Sequence, residues 1–223
     1  MIQREFIGAA QVPGGEELRL YRHDRDFMIV LDRNELMSTR RSGSEEALAT
    51  MAWERICGTG KPHILIGGYG MGFTLRAALK VLPADGLVTV VELVPEILEW
   101  ARGPMAEVTA DCLDDPRVRV VRADVAQYIA GAEGEYDAIL LDVDNGPDGL
   151  VRAENDVLYS GDGLREAKRA LAPKGILAIW SAEPDPAFTR RLQKGGFSVD
   201  EVRVSARSNG KGAKHTIWFA RRG

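Results

Sequence analysis

The sequence predicts an α/β fold built on a mostly parallel, seven-stranded sheet, and three observations lead there. Short apolar runs alternate with helical segments from His63 to Lys194, the rhythm of strands crossed over by helices. A glycine loop, Gly67-Gly68-Tyr69-Gly70-Met71-Gly72, stands between the first strand of that series and its first helix. Two extended runs at the end, Phe197 to Val204 and His215 to Ala220, are joined by a polar Gly-containing loop with no helix between them, so an antiparallel hairpin closes the sheet. The 223 residues allow one principal domain and a short appendage.

Taken in order, Leu18, Leu20 and Phe27-Met28-Ile29-Val30-Leu31 read as two or three short strands, which assigns residues 1–43 to a small N-terminal β region and 44–223 to the α/β domain. Ser44 to Ile56 reads as a helix, with Ser44 as its N-cap and acids in its first turn; Gly58, Gly60 and Pro62 end it. His63-Ile64-Leu65-Ile66, a helix from Phe73 to Leu82, and Leu87 to Val91 form one βαβ unit. A helix from Pro95 to Val108, a strand at Val118 to Val121, a short helix at Val125 to Ala130 and a strand at Ala138 to Leu141 continue it. A helix from Asp162 to Leu171, a turn at Pro173-Lys174-Gly175, a strand at Ile176 to Trp180 and a helix from Pro186 to Lys194 precede the hairpin.

The formal net charge of −4 gives no whole-molecule attraction to nucleic acid or to an anionic membrane. No apolar run approaches the ~20 residues of a membrane-spanning helix, and the first residues lack a basic segment followed by an apolar one. The expectation is a cytoplasmic protein with no nucleic-acid or membrane partner. Cys57 and Cys112 have no metal-site spacing, so they read as two buried thiols and no metal is expected.

In an open parallel sheet, ligands sit beyond the carboxyl ends of the strands, where the first turn presents backbone amides. Gly67, Gly68, Gly70 and Gly72 let the chain turn sharply there, and Tyr69 among them can stack on a ligand or pack. Glu92 ends the second strand twenty residues after Gly72, where a carboxylate can accept from both ribose hydroxyls. Phe73 stands where a dinucleotide fingerprint has its third glycine. That favours an adenosyl-sulfonium ligand over a dinucleotide: S-adenosylmethionine or its decarboxylated form, as donor substrate. Asp124 follows the third strand and can accept from the adenine amine, cap the next helix, or do both. Asp142 and then Asp144 follow the fourth strand as candidate catalytic acid/bases, able to orient an amine and take its proton.

These segments resemble the spermidine synthase family of polyamine aminopropyltransferases. The resemblance runs through Met28 to Asp32, Ile64 to Gly72, Val91-Glu92-Leu93-Val94-Pro95, Asp124, Tyr136 to Asp142, and Leu171-Ala172-Pro173-Lys174-Gly175. It implies a Rossmann-like sheet of the S-adenosylmethionine-dependent methyltransferase type, a small N-terminal β domain and a homodimer through those strands. It also implies a nucleoside site with Glu92 on ribose, Asp124 on adenine, Leu93 and Val125 beside them, the glycine loop on the sulfonium side, and Asp142 as acid/base. The departures lie on the acceptor side. Asp32 is followed by Arg33 rather than glycine, and Leu36 stands at the family's glutamine. A Tyr-His-Glu motif appears as Ser44-Glu45-Glu46, keeping only the glutamate, and Asn145-Gly146 replaces an aspartate-proline gate.

The small-molecule acceptor is thus expected to differ from the family's usual putrescine. Arg207, Lys211 and Lys214, with His215 beside them, could form a basic lid that disfavours a cationic acceptor. His23 and His63 offer no partner spacing, and Trp53, Trp100, Trp180 and Trp218 read as core. Three functions stay open: aminopropyl transfer to an amine, methyl transfer from S-adenosylmethionine to a small molecule, and nucleoside binding without turnover.

Overall fold

A computed structural model of the chain describes residues 4–56, 58, 60–143 and 155–223. Its N-terminal part is a four-stranded antiparallel meander: β1 (Glu5–Gln11), β2 (Glu17–His23), β3 (Asp26–Leu31) and β4 (Asn34–Ser38). The outer strands β1 and β4 lie beyond the two or three strands expected. They bury only Ala10 and Ser38 fully, so they carry little of the apolar alternation that marks a strand in sequence.

The main sheet holds β5 (His63–Gly67), β6 (Leu87–Glu92), β7 (Val118–Arg122), β8 (Tyr136–Leu141), β9 (Leu171–Ser181), β10 (Phe197–Ser205) and β11 (Lys214–Arg222). They lie in the order β10-β11-β9-β8-β5-β6-β7, with β11 reversed between β9 and β10 and the other strands running in one direction. The sequence-based fold class and terminal hairpin are both present. The helices are α1 (Gly43–Ile56), α2 (Phe73–Val81), α3 (Pro95–Arg102), α4 (Ala106–Thr109), α5 (Val125–Ala130), α6 (Asn155–Tyr159), α7 (Gly161–Ala170) and α8 (Pro186–Lys194).

Alternate residues of each central strand feed two separate cores. Ile64, Ile66, Val90 and Leu140 pack on one face with Leu48 and Ala52 of α1, Leu75 of α2 and Leu98 of α3. Leu65, Val91, Ile139 and Leu141 pack on the other with Ile129, Leu164 and Phe188. Burial on both faces explains why these strands read as unbroken apolar runs. Leu20, Ile29 and Leu31 of the meander join the first core, which fixes that small sheet over the edge of the large one.

Several boundaries differ from expectation for local reasons. The helix expected over Pro95 to Val108 breaks after Arg102, because Gly103 leaves the helical region and Pro104 has no N–H to continue the ladder. Strand β9 begins at Leu171, not Ile176: Tyr136 pairs with Leu171 and Ala138 with Ile176, so Pro173-Lys174-Gly175 is a bulge within the strand. Ser44 is not the cap of α1. Ser42 precedes the helix, its carbonyl accepting from Glu46 N at 2.9 Å and its hydroxyl donating to the Glu46 carboxylate at 2.8 Å.

The chain leaves β5 toward β6 and β7, then returns to the opposite side of β5 as β8. The crevice for a ligand lies at this reversal, where β5 and β8 end side by side. Gly67 O accepts from Asp142 N at 3.1 Å, and Gly68 N donates to Val91 O at 2.9 Å, so the glycine loop is pinned to both neighbours.

Candidate functional site

A cavity of about 360 Å³ opens at the crevice. Gly68, Gly70, Glu92, Leu93, Asp124, Val125 and Asp142 line it, drawn from the ends of four adjacent strands. The meander and β11 complete the wall with Leu18, Ile29, Leu36, Arg41 and His215, among others.

At the glycine loop, Gly68 has φ +84°, and a Cβ there would stand 2.6 Å from Asp142 O. Gly70 has φ +54°, and a Cβ would meet Met37 Sδ at 2.6 Å. Both need glycine for conformation and for close approach. Gly67 and Gly72 are absent from the cavity wall; a Cβ on Gly67 would press on Val125 Cγ2, and one on Gly72 would press on the Tyr69 hydroxyl. Tyr69 turns its ring away from the cavity into the first core, with its hydroxyl 3.4 Å from Cys112 Sγ. The packing alternative therefore describes its side chain, and its backbone N–H is the part that serves the loop. Cys112 is buried and free, as the sequence implied; Cys57 and Asp144 lie outside the described residues.

Glu92 fastens the loop. Its Oε2 accepts from Tyr69 N and its Oε1 from Val94 N, both at 2.8 Å. Burial pushes its carboxyl up from the ordinary range, while these backbone N–H groups pull the other way. The N–H groups of Leu93 and Gly70 also face the carboxylate, and ribose hydroxyls would reach it from the cavity side as further donors. Asp124 caps α5, with Oδ1 accepting from Ala126 N at 2.8 Å and Gln127 N at 3.3 Å. The cap fixes the carboxylate at the cavity wall beside Val125.

A second carboxylate stands with Asp142. Glu45, from the first turn of α1, lines the same cavity and is 7% exposed. Burial and the neighbouring Asp142 push Glu45 up to about 7, and burial pushes Asp142 up to about 6 against the hydrogen bond from Thr74 Oγ1 at 2.7 Å. In the sequence Glu45 reads only as a first-turn acid and as a departure from the family's Tyr-His-Glu motif, with no role in the site. His215 was singled out only as a neighbour of the basic loop, yet it is the residue of that segment on the cavity wall. Arg207, Lys211 and Lys214 are exposed at the hairpin tip and are not among the lining residues. Trp180 is core, as expected, but also faces the cavity, packed edge-on to His215 with ring centres 4.8 Å apart.

The lining as described carries five carboxylates (Glu35, Glu45, Glu92, Asp124, Asp142) against Arg41 and His215, and Arg41 is paired with Glu35. An acidic cavity favours cations and disfavours anions. Among the described residues no group of three or more His, Cys, Asp or Glu has the arrangement to hold a metal ion. No described helix is long and apolar enough to cross a membrane.

The raised pair has a consequence for stability. Asp142 and Glu45 hold their protons more tightly in the folded chain than at their ordinary values of 3.8 and 4.5. Over the window from those values up to about 6 and about 7, the folded state therefore binds more protons than the unfolded one. Their contribution to unfolding free energy falls as pH rises through that window and levels off above it. Urea unfolding across the same window is expected to show this decline, flattened in the Glu45→Gln Asp142→Asn double variant.

A family model for the spermine/spermidine synthase domain matches residues 44–191. Polyamine aminopropyltransferase 1 of Streptomyces coelicolor is 33% identical over 161 residues, covering 67% of this chain and 29% of that protein. The polyamine aminopropyltransferase of Mycobacterium tuberculosis is 32% identical over 154 residues, covering 65% and 28%. The chain thus spans less than a third of the length of these curated relatives. Among solved structures, a spermidine synthase from Thermotoga maritima superposes with a TM-score of 0.78 at 21% identity, over 98% of this chain and 73% of that one. A spermidine synthase in complex with the transition-state analogue AdoDATO gives 0.77 at 21% identity, over 98% and 72%. These two likenesses concern the fold. The family match runs from α1 into α8 and takes in the glycine loop, Glu92, Asp124 and Asp142, and on it the chain belongs to the spermine/spermidine synthase domain family.

Proposed function

We propose that the chain transfers an aminopropyl group from decarboxylated S-adenosylmethionine to a cationic amine. The observation that carries this reading is the buried carboxylate pair Asp142 and Glu45 at one end of an acidic cavity, with Glu92 and Asp124 at the other. An aminopropyl donor ends in an ammonium, which such a wall attracts. The carboxylate of S-adenosylmethionine would have to enter beside buried acids, with the cavity's Arg41 already paired to Glu35. Glu92 and the glycine loop would hold the ribose and the sulfonium side, and Asp124 the adenine. Asp142 would accept the proton of the attacking amine.

The acidic wall also revises the expected acceptor. With the three basic residues of the hairpin loop outside the cavity, the guanidinium on the described wall is Arg41, already paired to Glu35, so the acidic wall favours an alkylammonium. Leu36 at the position of the family's glutamine, with Leu18 and Ile29 beside it, gives the acceptor's carbon chain an apolar surface instead of a terminal hydrogen bond. This supports an alkylamine other than putrescine, whose second ammonium would lose that partner.

Calorimetry with the two donors, followed by mass spectrometry of products from a panel of amines, tests the reading. The decarboxylated donor is expected to bind at least about tenfold tighter, a difference of about 1.4 kcal/mol. Tighter binding of S-adenosylmethionine would turn the reading to methyl transfer. Binding of either nucleoside without any product would turn it to a non-catalytic nucleoside binder.

A further inference from the structure

Beyond Asp142, three side chains touch in series at the same end of the cavity. Ser44 Oγ lies 2.6 Å from Glu45 Oε2 and 2.8 Å from His215 Nδ1, the latter across 171 positions of chain. Ser44 and Glu45 are buried and His215 is half-buried, so the series runs from the interior outward. Thr74 ties the inner end together: its hydroxyl donates to Asp142 Oδ2 at 2.7 Å and lies 3.4 Å from the Glu45 carbonyl.

The order of the groups decides what they can do. A nucleophilic serine needs the histidine between its hydroxyl and the carboxylate, and an accessible oxygen. Here the hydroxyl is in the middle and Ser44 has no exposed surface. A serine hydroxyl has one proton to donate and lone pairs to accept with. Two arrangements satisfy both neighbours. In one, protonated Glu45 donates to Ser44, which donates to His215 Nδ1. In the other, Ser44 donates to ionised Glu45 and His215 Nδ1–H donates to Ser44. Passing from the first to the second carries a proton from Glu45 to the imidazole without moving a heavy atom.

We propose that Glu45, Ser44 and His215 form a proton exit path for the reaction at Asp142, with Ser44 and His215 as positioning and relay residues; this rests on the aminopropyl-transfer reading. The acceptor enters as an alkylammonium, and its proton passes to the Asp142–Glu45 pair. The freed nitrogen lone pair forms a bond to the carbon beside the sulfonium. The carbon–sulfur bond breaks with its electrons left on sulfur, giving a neutral thioether and a secondary ammonium. The proton on the pair moves through Ser44 to His215 Nδ1, the Nε2 proton leaves to water, which restores the starting charges, and a flip of the imidazole ring returns an unprotonated nitrogen to Ser44 for the next turnover. The groups facing the path are Asp142 and Glu46 beside Glu45, and Arg41 and the Trp180 ring beside His215. Burial and Arg41 hold the imidazole below its ordinary value, which favours release over retention of the proton.

The test pairs an activity-independent measurement with kinetics. The chain has three histidines, so the ring nitrogens of His215 can be followed by NMR against pH. In the wild type they are expected to show a second inflection tracking Glu45, lost in Glu45→Gln and in Ser44→Ala. In turnover, Ser44→Ala is expected to lower kcat about tenfold with KM within twofold, to steepen the rate's dependence on buffer concentration, and to recover in Ser44→Thr. His215→Gln, at a half-buried position, should repeat the loss even if Ser44→Ala folds poorly. Identical His215 titrations in all three proteins, or an unchanged kcat in Ser44→Ala and His215→Gln, would overturn the path. A wild type that transfers nothing to any amine overturns the functional reading, and the path as an amine-proton exit with it; NMR coupling alone would then show only a shared proton.

Discussion

Asp142→Asn is expected to lower kcat by about 10²- to 10⁴-fold, the range for removing a general base, while leaving donor affinity within about threefold. Asparagine keeps the shape, and its carbonyl oxygen can still accept from Thr74 Oγ1, so the strand end and the α2 contact survive. What it cannot do is take a proton. The raised carboxyl of Asp142 suits it to this exchange, because a base poised near neutrality both accepts the amine's proton and gives it up. Single-turnover mass spectrometry with saturating amine checks it. Transfer at the wild-type rate would remove Asp142 from the chemistry and leave Glu45 as the base. The pH profile then separates the two acids: the acidic limb should move in Glu45→Gln and vanish with activity in Asp142→Asn.

The parts of this molecule legible in sequence are those whose cause is local. Pro186 opens α8 with Asp185 accepting from Ala187 N and Phe188 N, and the sequence-based start is the observed one. Strand β5 reads correctly because both its faces are buried, so the three aliphatic residues in a row, Ile64-Leu65-Ile66, have one explanation. Gly68 and Gly70 were placed at the ligand edge by spacing alone, and their positive φ angles and crowded Cβ positions supply the reason.

The illegible parts have partners far away in the chain. Ser44 looked like an N-cap because a serine before acids usually is one, but its hydroxyl is taken by His215 on the last strand. Glu45 looked like a first-turn acid and instead faces Asp142, which only the folding of α1 over the end of β8 arranges. The basic loop looked like a lid because sequence shows charge but not which way a hairpin tip projects. Tyr69 had two equal readings, and Cys112, brought near by the 3₁₀ turn at Cys112–Asp114, decides for packing. The nucleoside half was thus read from a motif whose residues are consecutive, and the acceptor half had to be assembled from α1, β4 and β11.

Glu92→Gln is expected to weaken donor binding about 100-fold, or about 2.7 kcal/mol, with a smaller loss of stability. The carboxylate accepts from Tyr69 N and Val94 N with one oxygen each. A glutamine has one oxygen, so one of the two backbone N–H groups would meet an NH₂ donor and be left unsatisfied. An orphaned buried donor costs about 1–3 kcal/mol. The loop can escape part of that by shifting Tyr69 N, but Gly68 N is held by Val91 O and Gly70 is packed on Met37, so the shift would open the ligand crevice instead of relieving it. On the ligand side, one ribose hydroxyl loses an ionised acceptor, and hydrogen bonds to charged groups contribute about 1.5–3 kcal/mol each. Both terms act on donor binding, whereas only the first acts on the empty protein. Calorimetry with the decarboxylated donor and urea unfolding of the same two proteins separate them. A stability loss equal to the binding loss would make Glu92 a loop fastener alone, and a binding loss exceeding it assigns the ribose to its carboxylate.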